Sequence, residues 1–119
     1  MDIDKFREIL SDLIDELPLE IFENLNGGVV VSEEEKTYEG KDSLYIMGQY
    51  IVGQLGSQVV IYYGSFNKLY WYYSEEQIKE KLREVLHHEL THHVEYMAGA
   101  NDLHVEDLKF LSTLDDDNE

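Results

Sequence analysis

The chain has 119 residues, 26 Asp and Glu against 9 Lys and Arg, a net charge of −17, and no Cys. This is the length of one domain, and its charge repels phosphate backbones and anionic lipid surfaces, which excludes charge-driven binding to nucleic acid or membranes. Without cysteine there is neither a disulfide nor a thiolate metal site, so any bound metal has to be held by His, Asp or Glu.

The acidic start Met1-Asp2-Ile3-Asp4 is unlike a signal peptide. No apolar stretch approaches the roughly 20 residues of a membrane span, so a cytoplasmic location is expected. Ile3, Phe6, Ile9, Leu10, Leu13, Ile14 and Leu17 recur at helical spacing and predict a helix over 3–17, closed by Pro18. Leu19, Ile21, Phe22 and Leu25 predict a short second helix, stopped at Asn26-Gly27-Gly28. Val29-Val30-Val31 reads as a strand, and the acidic residues 32–43 read as a solvated loop. Strands are predicted over Leu44–Val52 and Gln58–Tyr63, turning at Gln54-Leu55-Gly56-Ser57.

The aromatic run Tyr70-Trp71-Tyr72-Tyr73 leads to the clearest helix start in the chain. Ser74-Glu75-Glu76-Gln77 has the form of a capping box, with acids in the first turn where the helix dipole favours them. Apolar periodicity then runs from Ile78 through Leu82, Val85, Leu86, Leu90 and Val94 to Met97, and Gly99 is a natural stop. Val105, Leu108 and Leu111 predict a last helix over 103–114, and 115–119 form an acidic tail. The expected fold is a single α+β domain over 1–114. It has a small, mostly antiparallel sheet packed on the long helix, with N- and C-terminal helices.

Four of the five histidines fall within His87-His88-Glu89-Leu90-Thr91-His92-His93. Inside this run, His88-Glu89-Leu90-Thr91-His92 is an HExxH pattern in the middle of the best-supported helix, the context that motif requires. Residues four apart stand about 6 Å apart along one helix face. Two imidazoles so placed can share one Zn²⁺. Glu89, turned about 100° from His88, flanks the metal and acts as general base toward a metal-activated water. On the helical wheel His88 and His92 sit together off one edge of the apolar arc, as the ligand pair. His93 falls inside the arc as a buried, hydrogen-bonded residue. His87 points away toward solvent.

A zinc site needs a third protein ligand. Glu95 would have to span about 10.5 Å along a straight helix from His88, too far for a shared metal. It is instead a candidate partner for the second nitrogen of a ligand histidine. Asp102, His104 and Glu106 follow the turn at Gly99, and Asp102 comes first. Asp102 is either the third ligand or the N-cap of the last helix. Gln58–Tyr63 has a possible second role as an edge strand pairing with extended substrate, with Tyr62 or Tyr63 steadying an oxyanion. Ordinary packing in a sheet accounts for the same tyrosines.

The chain resembles a bacterial family of small single-domain zinc metallopeptidases with a minimal zincin-like fold. The likeness rests on Leu17-Pro18, on Tyr45-Ile46-Met47-Gly48-Gln49-Tyr50, on Val59-Val60-Ile61-Tyr62-Tyr63 and above all on Val85–His93. Glu95 stands where the family pattern has glycine, and Gly99-Ala100-Asn101-Asp102 follows four residues later. The resemblance implies a zinc hydrolase with one Zn²⁺ per chain. Its ligands would be His88, His92 and Asp102, its base Glu89 and its substrate a peptide or protein. Two other readings compete. One is a non-catalytic zinc-binding or protein-interaction module, since only a short segment follows Gly99 to wall a cleft. The other is an acidic mimic of nucleic acid, in which the histidines would have no part.

Overall fold

Asp2 caps the first helix. Its carboxylate accepts from the Lys5 amide at 2.8 Å and satisfies one of the orphan donors of α1, Ile3–Asp15. Phe6, Ile9, Leu10 and Leu13 form its buried stripe. The predicted second helix is a single 3-10 turn, Leu19–Phe22. It cannot lengthen because it lies between Pro18 and Asn24, whose φ of 66° is left-handed.

The computed structural model describes residues 1–54, 56–99 and 107–113, the last segment through its backbone. The strands are β1 (Val29–Ser32), β2 (Thr37–Tyr38), β3 (Lys41–Gly53), β4 (Gly56–Tyr62) and β5 (Asp107–Thr113). Helices α2 (Tyr63–Leu69) and α3 (Glu75–Met97) lie between β4 and β5. β1 pairs with β4 in parallel, while β3 pairs antiparallel with β2, β4 and β5. Tyr45 faces Thr37 and Ser112 at once, so β2 and β5 lie on opposite edges of β3. The principal order is therefore β1-β4-β3-β5, with β2 extending the β4 side.

Two expectations are corrected. The acidic stretch 32–43 is not loop throughout: it contains β2 and the first residues of β3. The C-terminal helix predicted over 103–114 is, in residues 107–113, the strand β5. Asp107-Leu108-Lys109-Phe110-Leu111 fits a period of two as well as one of 3.6, and a window this short cannot separate them. The long edge of β3 supplies partners from Leu44 to Ile51, and that tertiary pairing decides the outcome. Residues 103–106 and the tail 115–119 lie outside the described residues.

α2 was not legible as a helix in the sequence. It is short, has no side-chain cap and carries Gly64 in its first turn. Gly64 is needed there because a Cβ would come within 2.5 Å of the Glu33 carbonyl oxygen. The buried Ser65 hydroxyl then accepts from Lys36 N at 2.9 Å and donates to Lys36 O at 3.1 Å, fixing the β1–β2 connection.

The main core lies between the helices and one face of the sheet. It joins Phe6, Leu10 and Leu13 of α1 to Tyr45, Met47 and Tyr50 of β3, and to Leu82, Val85, Leu86 and Leu90 of α3. Ile46, Val60 and Tyr62 form a smaller cluster. Val60 and Tyr62 alternate with the core residues Val59 and Ile61 along β4, which puts this cluster on the other face. Among the described residues no helix is long and apolar enough to cross a membrane.

Gly48 sets how closely α3 can lie on β3. A Cβ built there would sit 2.7 Å from Val85 Cγ1 and 3.3 Å from Glu89 Cγ. Gly48→Ala is expected to force the two elements apart and to cost about 1–3 kcal/mol, the usual range for overpacking a core. Urea unfolding of the variant measures this, and an unchanged midpoint would contradict the packing described.

Candidate metal centre

The position of the histidine cluster is set well upstream of it, at Ser74 and the helix that begins there. Ser74 Oγ accepts from Gln77 N at 3.2 Å, and Gln77 Oε1 accepts from Ser74 N at 2.9 Å, completing the capping box. From there the helix is continuous to Met97, and Gly99 takes a left-handed φ of 83° just beyond it. Ile78, Leu82, Val85, Glu89 and His93 are buried along α3, His87 is exposed, and His88 and His92 are half-buried. Arg83 marks the opposite flank of α3 and pairs with Glu16, just after α1, at 3.2 Å.

His88 and His92 turn the same ring atom toward each other. Their Nε2 atoms are 3.1 Å apart, with ring centroids at 4.6 Å and planes at 87°. Two Zn–N bonds of ordinary length at a tetrahedral angle separate the nitrogens by about 3.3–3.4 Å. The pair therefore fits two ligands of one zinc with only a small opening. Burial pushes the His88 imidazole below its ordinary pKa, and the neighbouring His92 adds to the effect, while Glu84 and Glu95 oppose it. This favours the neutral ring that a metal ligand must be.

Among the described residues, no group of three or more His, Asp or Glu side chains is placed to hold a metal ion. Asp102, His104 and Glu106 lie outside the described residues. Glu95 is placed on the other side of the pair: its Oε1 is 3.7 Å from His92 Nδ1, the nitrogen turned away from His88.

Glu89 is fully buried. It projects toward β3, where its Cγ lies over Gly48. The residue that permits this approach is a glycine inside a strand pattern, and that signal was present in the sequence.

His93 is the buried, bonded residue expected, with 1% exposure. Its Nε2 is 2.7 Å from the Glu23 carbonyl oxygen and its Nδ1 is 2.6 Å from the Tyr50 hydroxyl. A carbonyl can only accept, so Nε2 carries the proton and Nδ1 accepts from Tyr50. Burial raises the Tyr50 pKa, which keeps that hydroxyl protonated and donating. His93 thus ties the C-terminal half of α3 to β3 and to the turn that follows Leu19–Phe22. Neither Tyr50 nor Glu23 could be matched to His93 in the sequence, because neither partner is near it along the chain.

The second role considered for Gln58–Tyr63 is corrected. Most of that segment belongs to β4, which is interior, flanked by β1 and β3, so its backbone has no open edge for a substrate over the paired residues. Tyr62 donates to Gln49 Oε1 on the sheet face away from α3, and Tyr63 donates to the Met1 carbonyl beside α1. Among the described residues β1 pairs only with β4, and β2 and β5 each pair only with β3, so these three strands keep one edge open.

A long helix crossing one face of a small mixed sheet, with an imidazole pair on its flank, is a zincin-like arrangement. The chain belongs to the Zincin-like metallopeptidase family, whose sequence profile matches residues 28–111. A conserved hypothetical protein from Thermus thermophilus is similar in structure, with a TM-score of 0.72 and 29% sequence identity. The match covers 84% of this chain and 100% of that one. No curated protein matches the chain in sequence.

Proposed function

We propose that this protein is a zinc-dependent peptide hydrolase holding one Zn²⁺ per chain. The convergence of His88 Nε2 and His92 Nε2 at 3.1 Å carries the reading. His88 and His92 would hold the metal, with Asp102 as third ligand. When bound, zinc supplies Lewis-acid polarisation of the scissile carbonyl and makes water a competent nucleophile near neutral pH. Glu89 takes the proton from the attacking water on its carboxylate oxygen and gives it to the leaving amine nitrogen. The substrate is an extended peptide, and the outer edge of β5, beside α3 and unpaired among the described residues, gives it a backbone to pair with. The net charge of −17 suits peptides better than nucleic acid or membrane surfaces as partners, and a cytoplasmic location belongs to the same reading.

One observation favours the competing reading, a zinc-stapled interaction module. Glu89 has 0% exposure, whereas a working base has to meet a water. Incubating the zinc-loaded protein with a mixed peptide library decides between them. Cleavage that a chelator stops and added zinc restores is the expected result. Intact peptides after prolonged incubation with stoichiometrically loaded protein would give the ground to the interaction module.

A further inference from the structure

We infer that Glu95 is a positioning residue that fixes the ring of His92, an inference that rests on the zinc-site reading above. His92 Nδ1 is buried and has no hydrogen-bond partner among the described residues. The Glu95 carboxylate, one turn further along α3, lies beside it, with Oε1 at 3.7 Å. A small rotation of the half-exposed Glu95 side chain closes that gap to a hydrogen bond. A carboxylate can only accept, so it selects the His92 tautomer with the proton on Nδ1. Nε2 then carries the bare lone pair, and it is this atom that points at His88 Nε2. In the metal-free protein the proton shared between the two rings therefore belongs to His88, whose Nε2–H donates to His92. The arrangement gives His92 a fixed orientation and a more basic donor atom before any metal arrives.

The geometry also explains why Glu95 cannot serve as the third ligand in this arrangement. It approaches the ring from the Nδ1 side, while the ligand atoms converge on the opposite side. Its function follows from acting through His92 rather than from touching the metal.

The test uses the full chain with Glu95→Ala and Glu95→Gln. Long-range ¹H–¹⁵N NMR of the metal-free protein near pH 8 reads the His92 tautomer directly. Wild type should show Nδ1–H, Glu95→Ala should shift His92 toward Nε2–H, and Glu95→Gln, which keeps an accepting oxygen, should stay near wild type. In a competition titration with zinc alone, Glu95→Ala should bind about tenfold more weakly, the lower end of the range for loss of such a partner. The Gln variant should lose less. An unchanged His92 tautomer in Glu95→Ala, or an unchanged zinc affinity, would overturn the assignment. If wild type fails to bind zinc, the metal reading falls, while the tautomer still decides whether Glu95 holds His92.

Discussion

Replacing Glu89 by Gln is expected to leave zinc bound and to lower peptide cleavage by about 10²–10⁴-fold, the usual contribution of a general base. Gln has nearly the same shape, so it fits the buried space over Gly48 without forcing α3 from β3. It differs in the one property the reaction needs, a carboxylate oxygen that can take a proton from water and release it to the amine. The proposed ligands are other side chains, so affinity and activity should separate. Zinc content by elemental analysis and kcat/KM on a cleaved library peptide are measured on the same preparation. Equal rates for wild type and Glu89→Gln would remove Glu89 from the mechanism.

Converting both His88 and His92 to Ala is expected to take the zinc content from about one per chain to background, because both histidines of the proposed site are lost. These side chains stand half-buried on the flank of α3, apart from the core residues Leu82, Val85, Leu86 and Leu90. The double variant should therefore fold, and circular dichroism should show an unchanged helix content. Dialysis against a mild competitor is essential, since so acidic a surface also collects metal weakly. Asp102→Ala should weaken zinc binding strongly if Asp102 is the third ligand. A cap alone would cost about 1 kcal/mol of stability and leave affinity intact. Equal zinc retention in the double variant and wild type would end the assignment of the site.

Acid should act on the same site through His88. Zinc competes with protons for the His88 imidazole, so affinity is expected to fall as pH drops through the lowered His88 range. The stability of the metal-free protein follows the same direction. The folded-state pKa of His88 is lowered, so the folded chain binds fewer protons there than the unfolded chain. This contribution is complete above the ordinary histidine pKa and is lost as pH falls through the lowered one.

What was legible in the sequence was what local chemistry controls. Ser74 and Gln77 start α3 by bonds within one turn, and a helix once started assigns every later residue to a direction. That is why His88 and His92 could be paired, His93 placed inside and His87 placed outside before any tertiary contact was known. The same logic placed the amphipathic stripe of α1 from Phe6 to Leu13.

Which strands became neighbours was decided only in three dimensions. A strand's side chains alternate whether it lies at an edge or in the interior, so Gln58–Tyr63 could be recognised as a strand but not as one enclosed by β1 and β3. Asp107–Thr113 carried too short an apolar pattern to distinguish helix from strand, and the backbone edge of β3 made the choice. The bonds of His93 to Tyr50 and to the Glu23 carbonyl join points 43 and 70 residues apart. Helical period and capping are settled among residues a few positions apart, so the sequence by itself determined the helix and the direction of each histidine. Strand order, the seat of Glu89 over Gly48 and the anchoring of His93 depend on contacts between distant segments, and only the tertiary structure decided them.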